Sequence, residues 1–135
     1  MKSGSINHIG IATLSLDEAE SIWSNLGFSA TNDEVIEEQG VIVRYMSGLG
    51  NTKIELLEPI SNDSPISRFI NKRGIGIQQI AINVENIESK ILELKSNGFK
   101  MINESPVMGS DGKMIAFIHP SSCGGVLVEL VENNT

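Results

Sequence analysis

His8-Ile9-Gly10-Ile11-Ala12 and Gln79-Ile80-Ala81-Ile82-Asn83 are the two stretches whose reading decides the fold. Both alternate β-branched residues with small or polar ones, the pattern of a strand with two unlike faces. A helical stretch follows each and stops at Leu26-Gly27-Phe28 or at Asn97-Gly98-Phe99. Each half then closes on a strand that holds one carboxylate among apolar neighbours, Ile54-Glu55-Leu56 and Val128-Glu129-Leu130. His8 and Gln79 lie 71 residues apart, as do Gly27 and Gly98, and Glu55 and Glu129 lie 74 apart. Five landmarks in the same order make the chain an internal duplication. His8 and Gln79 then hold equivalent positions, as do Glu55 and Glu129.

Between these landmarks the elements can be placed. Ile6 to Ala12 is a strand. Ser15-Leu-Asp-Glu18 is a capping box, followed by Leu16, Ala19, Ile22, Trp23 and Leu26 at helical spacing. Glu34 to Glu38 is acidic and reads as strand or loop. Val41 to Ser47 and Thr52 to Glu58 are strands joined by the turn Gly48-Leu-Gly-Asn51. Asp63-Ser-Pro65 opens a linker helix with Ile66, Phe69 and Ile70 on its apolar side. Ile77 to Val84 is a strand, and Asn86 caps a helix carrying Ile87, Ile91 and Leu94. Phe99 to Glu104 is expected to be a short strand and Ser105 to Gly112 a loop. Met114 to His119 and Val126 to Glu132 complete the second half, and the tail 133–135 is expected to fray. The expected class is α+β, one domain over 1–135. It comprises a βαβββ module at 5–59, a linker helix at 60–76 and a second βαβββ module at 77–132. Two such modules would each offer a curved sheet and together enclose a cleft.

Length and charge bound the function. The 135 residues are enough for a real core, and an apolar content of 40% argues against wholesale disorder. The net charge is −7 and the ten Lys and Arg are scattered, which excludes a nucleic-acid footprint. No run approaches the roughly 18 apolar residues of a membrane span. The opening Met1-Lys2-Ser3-Gly4-Ser5 lacks the apolar stretch of a secretory signal. A cytoplasmic location is expected, in keeping with the lone Cys123.

The residues that could carry chemistry follow from strand alternation. His8, Gly10 and Ala12 share one face of their strand, which reads as small and open, while Ile9 and Ile11 pack the other. Gln79, Ala81 and Asn83 repeat that arrangement against Ile80 and Ile82. Glu55 shares a face with Lys53 and Leu57, and Glu129 with Leu127 and Val131. A carboxylate in so apolar a strand costs several kcal/mol unless paired or bound to metal. Taken singly, each residue has a plainer role. His8 would be a hydrogen-bonded core histidine and Glu55 a sheet-edge charge. Gln79 would bond Gln78 or Asn83, and Glu129 would pair with Lys113 or Arg44. The duplication groups the four into one candidate metal site of an imidazole, an amide oxygen and two carboxylates. Such oxygen-rich ligation favours Mn, Mg, Co or Ni over Zn.

The stretches Ile6-Asn-His-Ile-Gly-Ile-Ala12, Lys53-Ile-Glu-Leu-Leu-Glu-Pro59, Asp63-Ser-Pro-Ile66, Phe117-Ile-His-Pro120 and Gly124-Gly-Val-Leu-Val-Glu-Leu130 resemble the vicinal oxygen chelate (glyoxalase/bleomycin resistance) superfamily. Within it the chain is most similar to methylmalonyl-CoA epimerases. The resemblance implies paired βαβββ modules around a metal-holding cleft and interconversion of the two epimers of a 2-methyl-branched acyl-CoA thioester. It implies a divalent metal ion (Co, Mn, Ni, Mg or Zn) held by His8, Glu55, Gln79 and Glu129. It makes Glu129, or a second carboxylate such as Glu55, the catalytic acid–base group. Epimerases usually read Gly-Ile-His-His-Ile where this chain has Gly76-Ile-Gln-Gln-Ile80, so glutamine replaces an expected ligand. Some carry an acid where Val43 stands, and a Lys where Ser121 stands. Two other readings compete, a metal-free binding module on the same scaffold and a glyoxalase-type lyase. The expected partners are a small acyl-CoA and a second copy of the chain, with no nucleic acid and no membrane.

Overall fold

The computed structural model describes residues 3–133. It divides into two compact units, described in turn: a first unit of residues 8–78, and a second of residues 3–7 with 79–133.

In the first unit, β1 (Ile6–Ala12) leads into α1 (Leu16–Asn25), then β2 (Ser29–Ile36), β3 (Val41–Ser47), β4 (Lys53–Pro59) and α2 (Pro65–Arg73). The strands order as β2-β3-β4-β1, with β1 parallel to β4 and the other pairs antiparallel. Ser15 caps α1, its Oγ accepting from Glu18 N at 3.2 Å. The Ser15 N–H donates to Thr13 Oγ1, so Thr13 takes that half of the capping box. The first helical N–H, of Leu16, donates to Glu58 Oε1 at 3.0 Å, placing a β4 carboxylate at the positive end of α1. Leu16 and Ala19 are buried against Met46, Ile54 and Leu56. Ile22 and Leu26, on the same apolar stripe, are exposed. Gly27 takes a φ of +100°, which lets the chain leave the helix where a Cβ would be strained. On the opposite sheet face, Ile66 of α2 with Phe69 and Ile70 covers Ala12, Val43 and Leu57.

The second unit repeats the plan. β5 (Gly76–Val84) and α3 (Ile87–Ser96) are followed by β6 (Val107–Met108), β7 (Met114–Ile118) and β8 (Val128–Glu132). The order is β5-β8-β7-β6, with β5 parallel to β8. Asn86 caps α3 through Ser89 N at 3.0 Å, and the Ile87 N–H donates to Glu132 Oε2 at 3.1 Å. Glu132 thus repeats the part of Glu58, and Gly98 (φ +88°) that of Gly27. Ile87 and Ile91 bury against Ala116, Ile118 and Leu130.

Four expectations about the elements change. The third element of the first half begins at Ser29, because β2 is an exposed edge strand whose polar residues carry no alternation. Its pairing is held by Arg44, whose Nε and Nη2 grip both oxygens of Asp33 at 2.8 and 2.9 Å. The segment Phe99 to Glu104 forms only an isolated bridge, Met101 with Ile118, and the strand that edges β7 is Val107–Met108 within the presumed loop. Here the Asn103 side chain accepts from Phe117 N and ends the ladder early. β8 starts at Val128, two residues late. Asn133 is anchored, its N–H donating to Val84 O at 2.7 Å, while Asn134 and Thr135 lie outside the described residues. Among the described residues no helix is long and apolar enough to cross a membrane.

Candidate active site

In the first unit the parallel ladder of β1 and β4 pairs Gly10 with Glu55. His8 lies two residues before Gly10 and therefore on the same face as Glu55. Its Nδ1 sits 3.2 Å from Glu55 Oε2. Both side chains are buried, His8 at 1% and Glu55 at 5% exposure. The face expected to be open is closed, because Ala12 on it joins a core with Val43, Tyr45, Leu57 and Ile66. A histidine that gives its Nδ1 proton to a carboxylate is fixed as the tautomer whose Nε2 carries the lone pair.

The second unit reproduces this register. β5 and β8 pair Ala81 with Glu129, and Gln79 lies two residues before Ala81. Gln79 Nε2 donates to Glu129 Oε1 at 2.8 Å, and the two residues are exposed by 6% and 3%. Gln79 does not take the single-residue role it had in the sequence. Gln79 bonds neither Gln78 nor Asn83. Arg44 is occupied by Asp33, Asp17 and Glu20 rather than by Glu129. Asn83 accepts from Asn7 and Asn133 and donates to Ser5 instead. The apolar company of Glu129 is Ala81, Ile115, Val131 and Phe117.

The four sequence candidates thus come as two buried pairs, His8 with Glu55 and Gln79 with Glu129. Among the described residues no group of three or more His, Cys, Asp or Glu side chains stands ready to hold a metal ion. His119 serves its turn, with Nδ1 accepting from Ser121 N at 3.0 Å. Burial pushes the Cys123 thiol up, away from the thiolate a nucleophile needs.

Two features escaped the sequence. Glu58 and Glu132 carried no role in the sequence reading, and only their separation of 74 residues, the same as that of Glu55 and Glu129, marks them as a repeated device. Tyr45, which stands opposite Glu55 on β3, donates its hydroxyl to Glu34 Oε1 at 2.5 Å. Strand alternation alone could not say which face of β4 it would join.

Comparison with known proteins bears on this arrangement. A family model described as Glyoxalase/Bleomycin resistance protein/Dioxygenase superfamily matches residues 7–117. The chain is 42% identical over 130 residues to the mitochondrial methylmalonyl-CoA epimerase of Homo sapiens, spanning 94% of this chain and 73% of that protein. The structure is similar to that of methylmalonyl-CoA epimerase from Mycobacterium tuberculosis, with a TM-score of 0.89, 36% identity and coverage of 94% and 86% of the two chains. It is also similar to a methylmalonyl-CoA epimerase in complex with methylmalonyl-CoA and NH4+, with a TM-score of 0.88, 34% identity and coverage of 95% and 93%.

Proposed function

The chain belongs to the glyoxalase/bleomycin resistance protein/dioxygenase superfamily and, within it, to the methylmalonyl-CoA epimerases, and on that premise we propose that it interconverts the two epimers of methylmalonyl-CoA. The observation that carries this reading is the repeated register. It buries one carboxylate in each unit, each beside a polar partner on the neighbouring strand, in a chain whose relatives are epimerases of this substrate class. An epimerase needs an acid–base group at the α-carbon and positive charge for the developing enolate oxygen.

The donor set fits a divalent ion. His8 offers Nε2 once Nδ1 is turned to Glu55. Gln79 keeps its carbonyl oxygen once its N–H is given to Glu129. Two carboxylates balance two positive charges, so His8, Glu55, Gln79 and Glu129 are the residues that would hold the ion. Such an ion supplies charge to the enolate oxygen when bound. The rest is done by the chain. Glu129 takes the α-proton at its carboxylate, and the Gln79 amide fixes one oxygen of that carboxylate so the other is aimed. Glu55 orients the imidazole and is the second candidate to carry a proton. A homodimer in the cytoplasm, with a small acyl-CoA as its substrate, completes the reading, and sedimentation checks the assembly.

One observation favours a second reading. The bond from Gln79 to Glu129 satisfies both groups without an ion, as a metal-free binding module would require. Proton exchange decides between them. Each methylmalonyl-CoA epimer is incubated with the protein in D2O and followed by NMR, after chelation and with Mn, Co, Ni, Mg or Zn restored. Metal-dependent α-proton exchange with inversion supports the epimerase. Binding without exchange under every ion supports the module.

A further inference from the structure

One cation of the first unit shares the face of the buried pair and holds no carboxylate of its own. The parallel ladder of β1 and β4 pairs His8 with Lys53 and Gly10 with Glu55, and partners in a ladder project to the same side. His8 Nδ1 meets Glu55 Oε2 at 3.2 Å, so Lys53 stands on the face of that pair. It is one strand spacing from His8, about 4.8 Å, and two residues from Glu55, about 7 Å along β4. Glu55 is buried and Lys53 is exposed, so the face passes from core to solvent between them. In a chain of net charge −7, Arg44, Lys90 and Lys95 all hold carboxylates. Among the described residues no carboxylate forms an ion pair with Lys53. The second unit shows that the fold does not need this charge. Ile80 pairs with Val128 there, so Gln79 and Leu127 take the places of His8 and Lys53. The same register is built with leucine.

We propose that Lys53 binds the free carboxylate of the acyl group and so selects thioesters that carry a second acid at the α-carbon, an inference that rests on the epimerase reading above. That α-carbon lies between a thioester carbonyl and a carboxylate. Removing its proton builds negative charge beside a charge already present. A fixed ammonium offsets that charge, and it acts most strongly where water is scarce. Lysine suits the task as a compact point charge on a flexible four-carbon stem, which lets an exposed strand residue reach along the sheet. The phosphates of CoA are the other anions of the substrate, but they lie a whole pantetheine arm from the thioester. Lys53 lies only two residues from Glu55, so its place on the strand favours the acyl carboxylate. Lys53 is then a specificity-determining residue. A propionyl thioester, which lacks the acid, offers it nothing to bind.

The test uses the full chain with Lys53→Leu, the residue type that the second unit carries at Leu127, and with Lys53→Arg, which keeps the charge. Binding of methylmalonyl-CoA, propionyl-CoA and CoA is measured by calorimetry with Mn present, beside the urea midpoint of each variant. Lys53→Leu should weaken methylmalonyl-CoA by about 10–100-fold, the worth of one hydrogen bond to a charged group, and leave propionyl-CoA and CoA within about threefold. Lys53→Arg should keep most of the affinity, and neither change at this exposed position should move the midpoint. A merely structural role would lower the midpoint and weaken all three ligands together, which overturns the proposal. An equal loss for all three with the midpoint unmoved assigns Lys53 to the phosphates and overturns it too. So does methylmalonyl-CoA binding retained within about threefold in Lys53→Leu, or no preference for it over propionyl-CoA in the unsubstituted protein. Exchange of the α-proton in D2O is read separately. Its absence under every ion in the unsubstituted protein sinks the epimerase reading, whereas carboxylate selection by Lys53 is decided by the binding series alone.

Discussion

His8 with Glu55 and Gln79 with Glu129 occupy the same register in two units that share one plan, yet they are chemically different pairs. In each unit the carboxylate faces a small residue across a parallel ladder, Gly10 or Ala81, and its partner lies two residues earlier on the neighbouring strand. The helix caps repeat too, through Ser15 and Asn86 and through Glu58 and Glu132. What does not repeat is the polar dressing. Imidazole becomes amide, Tyr45 becomes Phe117, and Glu34 becomes Val107. Backbone register is set by burial and ladder hydrogen bonds, which a duplication keeps because a slip of one residue would turn every core side chain outward. The identity of a polar side chain escapes that constraint, so it is there that the two units have diverged.

The comparison can be broken most sharply at the carboxylates. Glu129→Gln should lower epimerisation by about 10²–10⁴-fold, the range for a lost acid–base group, with Glu55→Gln falling less. Steady-state rates check this, and the reverse order would exchange the two roles. Next come the cores. Leu56 and Leu130 are buried at 0% and 3% exposure and face Ile11 and Ile82 in matching register. Leu56→Ala and Leu130→Ala should each cost about 2–5 kcal/mol in urea unfolding. A cost confined to one unit would show that the shared plan does not share its energetics.

Gln79→His makes the second pair resemble the first. It should raise retention of divalent metal after dialysis by about 10–100-fold, the scale on which metal-site contacts act, with metal content as the readout. No gain would mean the glutamine position is not a ligand. Glu58→Gln and Glu132→Gln should each lower stability by about 1 kcal/mol and by similar amounts, since each carboxylate meets a first helical N–H. The smallest effect belongs to a contact present in one unit only. The Arg44 guanidinium holds the Asp33 carboxyl below the usual carboxylate range. A depressed native pKa contributes stability above the unfolded value and loses it as pH falls through the native one. The unfolding midpoints of the native chain and Asp33→Asn should therefore differ slightly at neutral pH and converge below about pH 4.

Much of this was legible in the sequence, because burial periodicity and caps are local. Strand β1, the caps Ser15 and Asn86, the helix start at Asp63-Ser-Pro65, the turn after Ser47 and the pairing of the four candidate residues by repeat could all be read from spacing. The edge strands could not. β2 is polar from Thr31 to Glu34, and β6 is two residues inside a loop rich in Gly, so both depend on the neighbour that pairs them rather than on a pattern of their own. The duplication, and with it the equivalence of His8 to Gln79 and of Glu55 to Glu129, was determined by the sequence alone, since repeated spacing needs no coordinates. Only the tertiary structure decided that His8 turns Nδ1 to Glu55, that Gln79 holds Glu129, and that Tyr45 reaches Glu34. These contacts join residues on different strands, and strand register is fixed by hydrogen bonds between segments distant in the chain, which no local pattern encodes.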